Sequence, residues 1–361
     1  MINEKVLKNE ERAVYKLRSL YTNYGYRPYK MSKFEEYDLY VRNKDFLVSD
    51  RVITFNDTDG RLLALKPDVT LSIIKNAALG EKHKVYYNEN VYRVFNASGQ
   101  FKEIMQTGLE CIGKLDISDI FEVVSLAAES LALVCEDYVL DVSHMGIVSA
   151  ILSEMDAPSS LRRRVTALIS ERSLHELERL CGEAGVPPSV AEKLTSLASL
   201  YGERGAVLGR LSAICTTDEE REALSELQTL DTLLSMSGIG NRVRYDFSVV
   251  NNMNYYNGIV FKGFISGISE GVLAGGSYDN LLRSMRRDGR GIGFALYLDL
   301  LAALDTGMDV YDVDVLLYYP EGTSAVTVAE RKRALLSQGK SVYSSSEMPS
   351  SLKYRELVEI K

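Results

Sequence analysis

The sequence predicts an α+β protein. Three observations carry this reading. Two strand–turn–strand patterns occupy residues 51–113, the stretch from 145 to about 240 is helical in pattern with almost no strand signal, and strand patterns return at 242–274. Antiparallel strands with flanking helices, an inserted helical block and an appended αβ piece belong to that class.

Residues 4–24 predict a helix. Val14, Leu17, Tyr21 and Tyr24 recur at helical spacing, and Gly25 is a natural stop. "RVITFNDTDGRLLALKP" (51–67) predicts two strands joined by a turn at Asp59-Gly60, with Pro67 ending the second. "DVTLSIIKNAAL" then predicts a helix capped by Asp68 or Thr70. "KVYYNENVYRVF" and "KEIMQTGLECIG" form a second strand pair around the polar loop "NASGQ", and "DIFEVVSLAAESLALV" (119–134) is a helix. Within the helical block "VPPSV" opens one helix. "TTDEEREALSELQTLDTLL" opens another, with Thr217 and Glu220 at capping-box spacing.

"RVRYDFSVV", "IVFKGFISG" and "EGVLAGG" read as strands, "SYDNLLRSM" as a helix, and "GIGFALYLDLLAAL" as a strand running into a helix that closes the main body near residue 305. The tail predicts strand ("VDVLLYY"), helix ("VTVAERKRALLSQ"), strand ("SVYSS") and a short final helix. No repeat period or low-complexity tract is present.

The chain has 361 residues, 46% of them apolar, and a formal charge of −8. That is ample for a buried core and points to two or three domains. No stretch approaches a membrane span of ~20 apolar residues, and the charged, helix-patterned "MINEKVLKNEERAVYKL" is not a secretory signal. Cys111, Cys135, Cys181 and Cys215 are widely spaced with no CxxC pair, and the histidines are His83, His144 and His175, so neither a zinc site nor a disulfide framework is expected. A reduced, cytoplasmic setting fits. The negative balance argues against gripping a nucleic-acid backbone. The densest basic stretches, "LRRRV" (161–165) and "RSMRRDGR" (283–290), read as solvated faces.

"NNMNYYNGIVF" (251–261) combines adjacent tyrosines, four asparagines and no charged side chain ahead of a strand pattern. It resembles the histidine-specific loop of the histidyl-tRNA synthetase family, usually Arg-Gly-Leu-Asp-Tyr-Tyr. "TFNDTDGRLLALKPDVT" resembles that family's stretch ending in Arg-Pro-Glu-Gly-Thr. "VYRVFNASGQFKEIMQTGLECIG" resembles its motif 2 strand–loop–strand, and "AGGSYDNLL" and "GIGFALYLDLL" its glycine-rich strand and motif 3. Order and spacing agree across about residues 5–305. The resemblance implies a class II aminoacyl-tRNA synthetase-like antiparallel sheet flanked by helices. It places a synthetase-like core at 1–145 and 241–305, a helical insertion at 146–240, and at 311–361 a segment similar to the first half of an anticodon-binding domain.

The departures from the family matter as much. The family's loop Arg aligns with Asn251, its motif 3 Arg with Leu300, and the motif 2 acid that anchors adenine with Val94 or Phe95. The basic motif 2 loop residues become Ser98 and Gln100, and the motif 1 proline, near Ser32, is missing. Adenylation is phosphate chemistry that depends on cationic clamps and Mg²⁺, and an Arg-to-Leu change removes both charge and fork geometry. Of the family's arginines for that step, Arg93 remains.

The groups that would hold L-histidine itself are mostly kept. These are Asp68 (Glu in the family), Thr70, Arg93, Gln106, Glu110, Tyr255 and Tyr256. Read alone, Glu110 could be a surface carboxylate and Arg93 a plain ion-pair partner. Tyr255 and Tyr256 would point to opposite faces if extended, leaving one, preferably Tyr256, for the ligand. Gly275 and Gly276 serve equally well as ordinary strand glycines or as a close-approach site, and Gly291 and Gly293 form an unspecific GxG.

Amino-acid recognition without ATP chemistry resembles the synthetase-like regulatory subunits of ATP phosphoribosyltransferase. That resemblance implies a protein without catalytic residues, metal or cofactor. Its partners would be a short catalytic subunit and L-histidine, in a hetero-oligomer built on a homodimer core, with no tRNA or membrane. It would act in histidine feedback inhibition of the first step of histidine biosynthesis. The alternatives are a divergent or truncated histidyl-tRNA synthetase, or another histidine-sensing pseudoenzyme.

Overall fold

The structure, a computed structural model, describes residues 7–47, 51–78, 80–94, 99–250, 255–301, 304 and 311–360. The chain divides into two compact units, Met1–Leu304 and Asp305–Lys361.

The first unit opens with α1 (Asn9–Asn23), whose Ala13, Leu17 and Tyr21 are buried. Of the expected stripe, Val14 is half-buried at its edge, and Tyr24 lies just past the helix with its hydroxyl donating to Glu129 at 3.0 Å. β1 (Arg27–Pro28), β2 (Phe34–Glu36), α2 (Tyr37–Arg42), β3 (Thr54–Asn56) and β4 (Leu62–Leu65) follow. β3 and β4 turn through Gly60, whose φ of +84° suits glycine. Together with β2 they form a small antiparallel sheet, β2-β4-β3. α3 (Thr70–Asn76) is capped from Asp68, whose Oδ1 accepts from Leu71 N at 2.9 Å, so the cap comes from Asp68 and not from Thr70.

β5 (His83–Val94) and β6 (Phe101–Gly113) form a long antiparallel pair. α4 (Ile117–Val134) is capped by Asp116. β7 (Tyr138–His144), which the sequence patterning does not signal, pairs with a later strand. Next comes a helical run: α5 (Met145–Ser153), α6 (Ser159–Ser170), α7 (Leu174–Glu183), α8 (Pro188–Ala198), the two-residue β8 (Tyr201–Gly202), α9 (Arg204–Ile214) and α10 (Asp218–Ser237). α10 starts on the expected Thr217–Glu220 capping box. β9 (Val243–Asp246), β10 (Ile259–Ile265), β11 (Leu273–Ser277), α11 (Asp279–Ser284), β12 (Arg290–Tyr297) and α12 (Leu298–Leu301) complete the unit.

Among the described residues, nine strands form one sheet in the order β1-β5-β6-β12-β11-β10-β7-β9-β8, antiparallel except for β1 beside β5 and β7 beside β9. Alternation along the strands separates its faces. Leu109, Cys111, Ile292 and Phe294 face a core built with Leu17 and Tyr21 of α1 and Val123, Ala127 and Leu131 of α4. Tyr21 stays satisfied there through a 3.0 Å hydrogen bond to Ser130. The helices of residues 146–240 share this core through Leu194, Leu227, Leu230 and Leu234, and they lie within the Met1–Leu304 unit.

The second unit holds β13 (Val313–Tyr318), α13 (Ala325–Ser337), β14 (Val342–Ser345) and β15 (Tyr354–Glu359), with all three strands parallel in the order β14-β13-β15. β15 corrects the expected final helix. Backbone pairing with β13, together with Val358 and Ile360 packing against Val315 and Leu317, holds this segment extended.

Candidate ligand-binding site

The second sheet face carries the site. On it lie Tyr87, Glu89 and Arg93 of β5 and Gln106, Gly108 and Glu110 of β6, since Tyr87 pairs with Gly108 and Glu89 with Gln106. Across the next ladders Gln106 pairs with Tyr297, Gly108 with Ala295, Glu110 with Gly293, and Ala295 with Ala274. The small residues make a depression in the sheet. α3, Phe46, Leu47, Tyr278 and the turn at Tyr255–Tyr256 wall it.

The result is a cavity of about 300 Å³. Asp68, Thr70, Arg93, Gln106, Glu110, Tyr255 and Tyr256 all line it, so the structure gathers every sequence-nominated ligand residue in one place. It also adds Tyr87, Tyr278, Tyr297 and Gly293, which the sequence reading did not nominate. For Gly293 and Tyr297 the signal was present only as alternation, since with Ala295 they share one face of β12.

Glu110 is buried, and both its oxygens accept hydrogen bonds, Oε1 from Thr70 and Oε2 from Tyr278, each at 2.6 Å. Tyr278, rather than Tyr255 or Tyr256, is therefore the phenol on this carboxyl. Gln106 Oε1 is buried with no hydrogen-bond partner among the described residues, an acceptor available to a ligand donor. Tyr255 and Tyr256 do not divide between core and ligand as an extended segment would require. They sit in a turn before β10, with ring centroids 4.6 Å apart, and both line the cavity. Tyr255 also packs against Tyr278, with ring centroids 5.9 Å apart and planes tilted by 58°. Gly276 gives Tyr256 its room, because a Cβ there would come within 2.8 Å of the Tyr256 ring.

Burial pushes the Glu110 carboxyl up to about 8, against the hydrogen bonds from Thr70 and Tyr278, and the nearby charge of Asp68 adds to the rise. Burial also raises Asp68, opposed by the Arg93 guanidinium and by backbone N–H groups of Leu71 and Thr70. Arg93 is the one cation among the described lining residues. Its Nε donates to Pro67 O at 2.7 Å, and its Nη2 lies 3.8 Å from Asp68 Oδ2.

Leu300, where the family carries an Arg, does not line the cavity; it packs half-buried on the main core. Val94 ends β5, half-buried, while Asn251, Phe95 and Ser98 lie outside the described residues. Of the basic stretches, Arg163 and Arg164 are exposed on α6, as a solvated face requires. In the second stretch, Arg287 donates to the backbone oxygens of Lys75 and Ala77, and Arg290 donates to Glu226 at 2.7 Å. Those two arginines tie distant segments to each other, so the second stretch is a solvated face only in part, at Arg283 and Arg286. Among the described residues no helix is long and apolar enough to cross a membrane.

Residues 2–301 match the family model described as histidyl-tRNA synthetase. The chain is 26% identical over 350 residues to a protein of Oceanobacillus iheyensis named ATP phosphoribosyltransferase regulatory subunit, covering 95% of this chain and 86% of that one. A protein of the same name from Alkaliphilus metalliredigens is 29% identical over 282 residues, covering 76% and 71%. Among solved structures, an ATP phosphoribosyltransferase regulatory subunit/histidyl-tRNA synthetase from Bacillus halodurans superposes with a TM-score of 0.80 at 23% identity, covering 97% of this chain and 93% of that one. A chain of the ATP phosphoribosyl transferase (HisG:HisZ) complex from Thermotoga maritima superposes with a TM-score of 0.62 at 18% identity, covering 82% and 97%. At those identities the two structures speak for the fold alone, the class II synthetase-like α+β architecture.

Proposed function

The chain belongs to the histidyl-tRNA synthetase family, and on that premise we propose that it is a non-catalytic regulatory subunit of ATP phosphoribosyltransferase. It binds a short catalytic subunit in the first step of L-histidine biosynthesis, raises that subunit's activity and takes part in its inhibition by histidine. Proteins bearing the regulatory-subunit name are its relatives across most of its length. A structural neighbour is a chain of a two-component transferase complex. The homodimer core and the hetero-oligomer belong to this reading.

One observation carries it. The cavity keeps the polar groups that suit an amino acid, while Arg93, the single cation among its described lining residues, is engaged by Asp68 and Pro67 O. Activating an amino acid with ATP requires several fixed cations around the phosphates. Binding histidine without reacting it requires none of them. Asp68, Thr70 and Gln106 can accept from the ligand's ammonium, and Arg93 can face its carboxylate. Glu110 can receive an imidazole N–H, with Tyr255 and Tyr256 closing the turn side.

The test is assembly. Mixed with the short catalytic subunit at micromolar concentration, the chain is expected to elute as a larger hetero-oligomer and to raise phosphoribosyl transfer, which histidine then inhibits. Separate elution and unchanged transfer would defeat the reading. Efficient histidine-dependent ATP–pyrophosphate exchange by the chain alone would favour a divergent synthetase instead.

A further inference from the structure

A polar chain runs from the helical block to the ligand cavity. Glu226, on α10, accepts from Arg290 at 2.7 Å through Oε1 and meets His144 Nε2 at 3.0 Å through Oε2. His144 Nδ1 accepts from Gly146 N at 3.1 Å, so in the neutral ring the proton is on Nε2 and donates to Glu226. Arg290 Nε lies 3.4 Å from Asp279 Oδ2. Asp279 accepts from Gly291 N at 3.0 Å, and its own N–H donates to Asn257 Oδ1 at 2.8 Å. Asn257 N–H in turn donates to Ser277 O at 3.0 Å. Asn257 directly follows Tyr255 and Tyr256, and Asp279 directly follows Tyr278, the phenol on Glu110. The chain therefore ends on both sides of the cavity wall.

Glu226 itself does not line the cavity. Yet Glu226 is only 22% exposed and joins β7, β12 and α10 at one point. Without it, the Arg290 guanidinium would keep only its 3.4 Å contact with Asp279, and the anchor of the 255–258 turn would loosen.

We propose that Glu226 is a positioning residue for the ligand cavity: by holding Arg290 against Asp279 it sets the Tyr255–Gly258 turn and Tyr278, and so couples α10 of the helical block to ligand occupancy. Coupling of this kind is reciprocal and typically amounts to about 5- to 150-fold in affinity. The ligand half of this inference rests on the histidine reading above; the structural half does not.

The experiment compares wild-type and Glu226→Gln proteins by hydrogen-exchange mass spectrometry and by histidine calorimetry. Glu226→Gln is expected to speed exchange in the peptide covering 255–261 about tenfold, with peptides of β5 and β6 unchanged, and to weaken histidine binding at least about fivefold. Histidine is expected to slow exchange in the 222–230 segment of wild-type α10. A role confined to general stability would lower the melting temperature with none of these local effects. Unchanged exchange at 255–261 overturns the proposal. If wild-type protein binds no histidine, the histidine reading of the cavity fails, and the exchange comparison alone decides this inference. Arg290→Lys, which keeps the charge but loses the fork, is the second variant and is expected to reproduce the same local loosening.

Discussion

Gly293 on β12 stands in register opposite Glu110 on β6, and the space a Cβ would take at Gly293 is filled by the Glu110 carboxylate. This pairing turns an unspecific GxG into a requirement of the site. Gly293→Ala is expected to displace Glu110 from Thr70 and Tyr278 and to destabilise the protein by about 1–3 kcal/mol, the usual range for overpacking. Chemical denaturation of the variant measures the loss. Wild-type stability together with wild-type histidine affinity would show that Glu110 can relocate freely.

Glu110→Gln keeps the shape and removes the charge. A hydrogen bond to a charged group contributes about 1.5–3 kcal/mol, so above about pH 8, where the free carboxyl is already ionised, histidine affinity is expected to fall about ten- to a hundredfold. Inhibition of the assembled complex by histidine should weaken in parallel while assembly persists. Calorimetry on the isolated chain and inhibition assays on the complex read the two effects. If both Glu110→Gln and Asp68→Asn leave affinity and inhibition unaltered, histidine acts elsewhere.

Glu110 also sets a pH dependence. Its folded-state value of about 8 lies above the ordinary carboxyl value of 4.5, so the folded protein holds the proton more tightly than the unfolded chain. The resulting stability is complete below 4.5 and is lost as pH rises through about 8. Wild-type protein is expected to lose stability between pH 5 and 8, on the order of a few kcal/mol, relative to Glu110→Gln. A ligand N–H that favours the carboxylate releases this proton, so histidine affinity should rise with pH between about 6.5 and 8, by at most about tenfold per unit. Titrations in two buffers of different ionisation enthalpy reveal the proton.

The chain is expected to support neither ATP–pyrophosphate exchange with histidine nor charging of tRNA. Restoring cations with Asn251→Arg and Leu300→Arg should not recover a synthetase rate, on the order of 1–10³ s⁻¹. Leu300 packs half-buried on the core, away from the cavity lining, so a guanidinium there enters an apolar setting. Exchange at a synthetase-like rate in the wild-type chain counts against the loss of adenylation, and in the doubly substituted chain alone it would show that these two positions suffice to explain the loss.

A large part of the fold could be read from residues alone, because short-range physics controls those parts. Alternation sets which side of β5 and β6 each residue faces, glycine with positive φ permits the turn at Gly60, and the Thr217–Glu220 box starts α10. The candidate ligand residues were legible because they lie in segments whose order and residue types resemble a known family.

Long-range pairing decided the rest. Tyr278 reaches Glu110 across 168 residues of sequence, only because β6, β12 and β11 are neighbours in the sheet. The turn that brings both Tyr255 and Tyr256 to the cavity is anchored by Asn257 on Ser277 and Asp279, contacts that no local pattern announces. β15 is a strand because β13 offers it a backbone edge to pair with. Local sequence states which backbone shapes are cheap and which faces are apolar; which distant edges and carboxylates meet is settled only when the chain closes its hydrogen bonds and buries its core as a whole.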